Sequence, residues 1–223
     1  PDTNHPAFET LFRAHVAKLL KARGAARYLS KGNYNALRIG YLATIFPDAR
    51  FLVPIREPAS HVASLMRQDA WHATAPRATL EHIAVRGHHE FGPMKRGLRV
   101  PGPAPTNEPG TPDDWLRQWL AVYGHVLGLA ALPELAGRIL FVPHGQLLDA
   151  PEASLERLLG FLGLGPFDGR DAWLSRAAAG FSGSPAPDRR PGAMSRDLLA
   201  RARALHEACA RASGWPESPH HLG

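Results

Sequence analysis

Apolar side chains recur every three or four positions between Pro6 and Arg23. Phe8, Leu11, Phe12, Val16, Leu19 and Leu20 fall on one stripe, with Asn4 and Pro6 as start signals and Gly24 as a stop, which predicts an amphipathic helix covering one face of a sheet. The pattern then changes. Two short apolar runs, Tyr28-Leu29-Ser30 and Phe51-Leu52-Val53-Pro54-Ile55, flank a segment in which Tyr34, Leu37, Tyr41, Leu42 and Ile45 keep helical spacing up to Pro47. The reading is strand, helix, strand. After Pro58 a helix runs through Val62, Leu65 and Met66 to about Arg67, and a second helical stretch over 79–92 ends in the polar group His88-His89-Glu90. Residues 93–112 are dense in Pro and Gly and predict a loop or lid. Thr111-Pro112-Asp113-Asp114 then reads as a helix start, and Trp115, Leu116, Trp119, Leu120, Tyr123, Val126 and Leu127 give that helix a thick core-facing stripe. A third strand over 138–142 leads to a helix starting at Asp149 and Pro151, with Leu155, Leu158, Leu159 and Leu162 inward and Gly163 as its stop. Residues 181–194 predict a flexible loop, Ser195 caps a last helix, and the tail from Trp215 onward is expected to be loosely ordered.

A strand-helix-strand unit forces parallel pairing through a right-handed crossover, and in open α/β sheets ligands collect beyond the carboxyl ends of the strands. Those ends are expected to carry Lys31 and Arg56, with a new helix opening at Pro58. Two cations beside a helix N-terminus suit an anion, because exposed N–H groups and the helix dipole add to the charges.

The stretch FPDARFLVPIREPASHVASL, from Phe46 to Leu65, resembles the second nucleotide-binding block of sulfotransferases that use 3′-phosphoadenosine 5′-phosphosulfate (PAPS). An aromatic-Pro-Asp-Ala lead-in, an apolar strand, Arg-acidic-Pro and a Ser eight positions after the Arg carry the likeness. It implies that Arg56 and Ser64 hold the 3′-phosphate of the nucleotide, a task that suits a bidentate guanidinium and a neutral hydroxyl donor. It implies that Lys31 stabilises charge on the bridging oxygen of the leaving nucleotide, and that Arg189, Arg190 and Gly192 belong to a basic loop closing over the 3′-phosphate. The strand, loop and helix ending in Phe161-Leu162-Gly163-Leu164 resemble the same pattern, except that His144-Gly145-Gln146-Leu147 stands where the family has Tyr-Glu-Asp-Leu. The implied fold is a helix-rich α/β domain over residues 1–223, three-layered (α/β/α) around a short parallel sheet of the P-loop-like sulfotransferase type. The family's first nucleotide block, a Gly/Ser/Thr-rich loop around the 5′-phosphosulfate, has no counterpart in these residues. With Pro1 rather than Met at the start, the expectation is an N-terminally truncated piece of such an enzyme, poor at nucleotide binding by itself, with a degenerate relative as the other reading.

The base for the acceptor is not given by the likeness, since Asn33 occupies the position where one branch of the family has a His, and Asn takes no proton at neutral pH. His88, His89 and Glu90 are the candidates, because an imidazole or a desolvated carboxylate can be tuned toward neutrality; an exposed helix end is the plain alternative. His82, His88 and His89 lack the spacing of a helix-borne zinc site, and no metal is expected.

A net charge of +6 and a pI near 10.0 suit an acidic ligand. The basic residues are scattered, with no Lys/Arg run and no interleaved aromatics, which disfavours nucleic acid as the partner. Cys209 is the only cysteine, so no internal disulfide forms and a cytoplasmic location is the default expectation. No apolar run reaches bilayer-spanning length. The function expected is transfer of a sulfuryl group from PAPS to a hydroxyl or amine acceptor, small-molecule, lipid or carbohydrate, with residues 88–110 shaping its pocket. The alternatives are a P-loop-type nucleotide-dependent kinase and a non-enzymatic basic nucleic-acid-binding domain.

Overall fold

The computed structural model describes residues 5–85, 89–93, 95–96, 100, 110–181 and 192–215. Its centre is a two-stranded parallel sheet, β1 (Phe51–Ile55) beside β2 (Ile139–Pro143), with Phe51 opposite Ile139 and Ile55 opposite Pro143. Alternation of side chains sends the two sheet faces into separate clusters. Val53, Ile55, Ile139 and Phe141 meet Ile39 and Ala43 of α2 (Ile39–Ile45), Val126 of α5 (Pro112–Ala130) and Cys209 of α9 (Arg196–Ala212). Leu140 and Val142 turn to the opposite face, where they pack with Leu52, Trp215 and Leu158 and Phe161 of α7 (Pro151–Leu162). Helices therefore cover both faces, an α/β arrangement in three layers.

The chain between the strands forms α3 (Pro58–Ala73), α4 (Arg77–Val85) and α5. Pro58 opens α3 at the position where a missing N–H costs nothing, and the helix runs past the expected end at Arg67 because no breaker follows before Thr74. The second helical stretch covers Arg77–Val85 rather than 79–92. A short α6 (His144–Asp149) that was not expected fills the turn before α7, which opens at Pro151 and is stopped by Gly163 as the sequence indicates. After α7 come α8 (Arg170–Ala179) and α9, the latter packed along α5. At the other end of the chain, α1 (Pro6–Arg23) matches its expected bounds, stopped by Gly24 in the left-handed region at φ 57°. Only Val16 of its stripe is buried, whereas Phe8 and Leu11 are exposed.

One expected element does not form. Residues 28–30 run without strand pairing, and Leu29 is 86% exposed. A three-residue apolar run gains nothing from extension unless a neighbouring strand takes its N–H and C=O groups, and none does. Among the described residues the crossover unit is therefore β1, three α-helices and β2, with a two-turn 3-10 segment (Asn33–Arg38) feeding α2. Arg138 fixes the register of this unit. Its Nε donates to Ala49 O at 3.1 Å and Nη2 to Phe46 O at 3.0 Å, tying the entry of β1 to the residue before β2.

Candidate active site

The register that pairs Ile55 with Pro143 makes Arg56 and His144 neighbours at the carboxyl ends of the two strands. Lys31 was expected beside Arg56. It lies instead in the unpaired segment before the 3-10 turn, because the strand that was to carry it is absent. Arg56 is half-buried and enters no ion pair or side-chain hydrogen bond among the described residues. Its sequence neighbour Glu57 is occupied elsewhere: Oε2 accepts the Ser60 N–H at 2.8 Å as the cap of α3, and Oε1 stands 3.3 Å from Arg203 Nε. Burial pushes the Glu57 carboxyl upward, but the N–H groups of Ser60 and Ala59 and the Arg203 guanidinium outweigh it and hold the group below its ordinary range. The carboxylate thus serves the helix, and the charge of Arg56 acts on the imidazoles of His61 and His144.

His61, in the first turn of α3, accepts a hydrogen bond at Nδ1 from the indole Nε1–H of Trp119, 3.2 Å away. With Nδ1 accepting, the ring proton sits on Nε2. Burial, then the positive charge of Arg56, then His144 lower the His61 pKa to about 4, so the ring is neutral at physiological pH. His144 is lowered for the same first two reasons, burial and Arg56. Beneath them the Tyr123 hydroxyl donates to Pro54 O at 3.0 Å, and its ring lies 4.5 Å from that of Trp119.

A second group of residues gathers farther along α3. Lys31 Nζ donates to Asn33 Oδ1 at 3.3 Å, and Asn33 Nδ2 to Glu90 Oε1 at 3.5 Å, across 57 positions of sequence. The Tyr34 hydroxyl accepts the His89 N–H at 3.1 Å, pinning the same two segments together. Asn33, Glu90 and Phe91 then line a cavity of about 150 Å³ with Ile83 of α4 and with Gln68 and His72 of α3. The His72 ring stacks on Phe91 at 5.3 Å between centroids. Ser64, Gln68 and His72 are spaced four apart, so Ser64 lies on the side of α3 that leads toward this cavity.

Of the expected site residues, Lys31 and Glu90 are brought to a common partner, Asn33, and Arg56 and Ser64 are both half-buried at or beyond the strand end. Neither Arg56 nor Ser64 lines the cavity. His89 Nδ1 is buried without a hydrogen-bond partner among the described residues, shut off from solvent. Gly192 is exposed in the lead to α9. His88, Arg189 and Arg190 lie outside the described residues. Sequence reading passed over His61, Trp119 and His144. The usable signal was positional: His144 follows β2 as Arg56 follows β1. Among the described residues no group of three or more His, Cys, Asp or Glu is arranged to hold a metal ion, and no helix is long and apolar enough to cross a membrane. No family model, no curated protein and no solved structure matches the chain.

Proposed function

We propose that this chain carries the nucleotide 3′-phosphate site and the transfer centre of a PAPS-dependent sulfotransferase of the P-loop-like type. The observation that carries the reading is the convergence of Lys31 and Glu90 on Asn33 at a cavity walled in part by Gln68 and His72 of α3, the helix that also carries Ser64 and follows Arg56. At about 1.5 Å of rise per residue, Ser64 lies about 6 Å from the level of Gln68 and about 12 Å from that of His72. That is the scale of a nucleotide lying along the helix, with one end at Ser64 and the other at the cavity mouth.

In this reading Glu90 takes the proton of an acceptor hydroxyl or amine. The acceptor atom attacks sulfur in line, the bond from sulfur to the 5′-phosphate oxygen breaks, and adenosine 3′,5′-bisphosphate leaves. Lys31 stabilises the charge on the departing oxygen. Asn33, unable to accept a proton itself, bridges the ammonium and the carboxylate through its amide. Arg56 and Ser64 grip the ribose 3′-phosphate.

Calorimetry with adenosine 3′,5′-bisphosphate and adenosine 5′-phosphate tests the reading, because the 3′-phosphate is the only difference between them. The bisphosphate should bind at least about tenfold tighter, and Arg56→Ala should abolish that preference, a loss of about 1.5–3 kcal/mol for a charge-assisted contact. Equal affinity of the two nucleotides for the unaltered chain would overturn it.

A further inference from the structure

The end of the sheet holds one guanidinium and two imidazoles. Arg56 and His144 are the residues next after the paired Ile55 and Pro143, and His61 stands in the first turn of the helix that follows Arg56. The charged groups of the surrounding elements are engaged elsewhere. Glu57 caps α3 and meets Arg203 of α9. On α7, Glu152 accepts from Ser175 and Glu156 from Arg170. Asp149, at the far end of α6, has a partner of its own, as does His206 of α9. The positive charge that acts on both imidazoles is that of Arg56. An Arg with no carboxylate partner, beside two groups able to donate, is an arrangement that repels its own protons when empty and favours an anion.

We propose that Arg56, His61 and His144 form one platform for a tetrahedral dianion, in which His144 becomes an imidazolium as the ligand binds, so that binding takes up a proton. This deepens the sulfotransferase reading, since the dianion is then the ribose phosphate of the nucleotide. The two imidazoles divide the work. His61 cannot switch, because Trp119 holds its Nδ1 as an acceptor and its neutral Nε2–H remains as a donor. His144 has no hydrogen-bond partner among the described residues to fix its state, and a dianion beside it reverses the sign of the field from Arg56. The proton comes from solvent, no bond of the ligand is broken, and affinity rises as pH falls through the range in which the free ring is neutral and the bound ring is charged.

Inorganic sulfate is the probe, because it stays a dianion across the pH range in which histidine titrates. The imidazole C–H resonances of the full chain are followed by NMR from about pH 5 to about pH 8.5 at constant ionic strength, in chloride and in sulfate. Expected is a rise of about one pH unit in the His144 midpoint on adding sulfate, and sulfate affinity at least about threefold higher near pH 6 than near pH 8. His144→Gln, or His144→Asn if the first folds poorly, should flatten that pH dependence and leave weaker binding through Arg56. A His144 midpoint indifferent to sulfate, or affinity that does not change with pH, overturns the proposal. A second arm uses adenosine 3′,5′-bisphosphate: a His144 shift with sulfate but none with the nucleotide overturns its assignment to the ribose phosphate. Failure of the sulfotransferase reading is seen separately, as equal binding of the bisphosphate and the 5′-monophosphate with the sulfate response intact.

Discussion

His61 is held neutral by its surroundings, and that has a consequence for stability as well as for binding. Its pKa is lowered from 6.5 to about 4 in the folded chain, first by burial and then by Arg56 and His144. Between those values the unfolded chain binds the proton more readily than the folded one, so stability rises with pH across the window and is lost as pH falls from about 6.5 toward about 4. The full shift corresponds to about 3 kcal/mol, less for the part of the ring that solvent still reaches. His144 is shifted the same way and adds to the slope. Glu57, held below 4.5, contributes stability above that value which disappears only at still lower pH. Urea unfolding near pH 7.5, 6 and 5 should therefore show a loss of about 2 kcal/mol or more before the carboxylates titrate, and His61→Asn, which keeps an acceptor for the Trp119 N–H, should reduce it. A stability flat over that range would mean the ring is more open than its contacts indicate. None of this was legible in the sequence. The partner of His61 is 58 positions away, and only the packing of α5 on α3 brings it there.

Among the elements, caps and stop signals were readable where the responsible atoms lie within a turn of one another. Thr111 Oγ1 accepts the Asp114 N–H at 3.2 Å, and Ser195 Oγ the Leu198 N–H at 3.5 Å, as the polar-then-apolar patterns led one to expect. The two starts are coupled, because Asp113 Oδ1, in the first turn of α5, accepts the Ser195 N–H at 2.8 Å. Fraying α5 therefore releases the entry to α9. Thr111→Ala should cost about 1 kcal/mol, and Ser195→Ala only a few tenths, since its bond is at the limit of useful length and its N–H is held by Asp113 in any case. The shift of the denaturation midpoint in each variant checks this, and equal losses would mean the longer cap bond is the stronger one. The strand at 28–30 failed as an expectation for the opposite reason. Pairing is not a local property, and an apolar triplet carries no record of whether another strand lies beside it. The same gap misdirected the site: with no strand there, the second group at the sheet's end is His144 and not Lys31, while Lys31 finds Glu90 through Asn33.

At the scale of the whole molecule the sheet has two strands among the described residues, and the outer edge of β2 is satisfied there without a third. The end of α9 does this. The Phe141 N–H donates to Ser213 Oγ at 2.7 Å, and Phe141 O accepts from the indole of Trp215. The Arg157 guanidinium of α7 lies over that indole, 4.5 Å from the ring centroid, and donates to Ser213 O. Trp215 is thus 8% exposed and packed against Leu140 and Val142, although its position in a Pro- and Ser-containing tail had suggested loose order. The sequence showed an aromatic near a terminus; that it closes a sheet edge depends on where β2 comes to lie. Trp215→Ala should cost about 3–5 kcal/mol, by opening a cavity against β2 and leaving Phe141 O without its donor. Trp215→Phe keeps most of the packing and should cost about 1–2 kcal/mol. Because β2 ends at Pro143 and delivers His144, loosening its outer edge should also weaken sulfate binding in the alanine variant under conditions where that variant is still folded. Urea midpoints and sulfate titrations on the same two proteins decide the matter: a Trp215→Ala chain that is destabilised but binds sulfate as the unaltered chain does would mean that β1 alone fixes the anion platform.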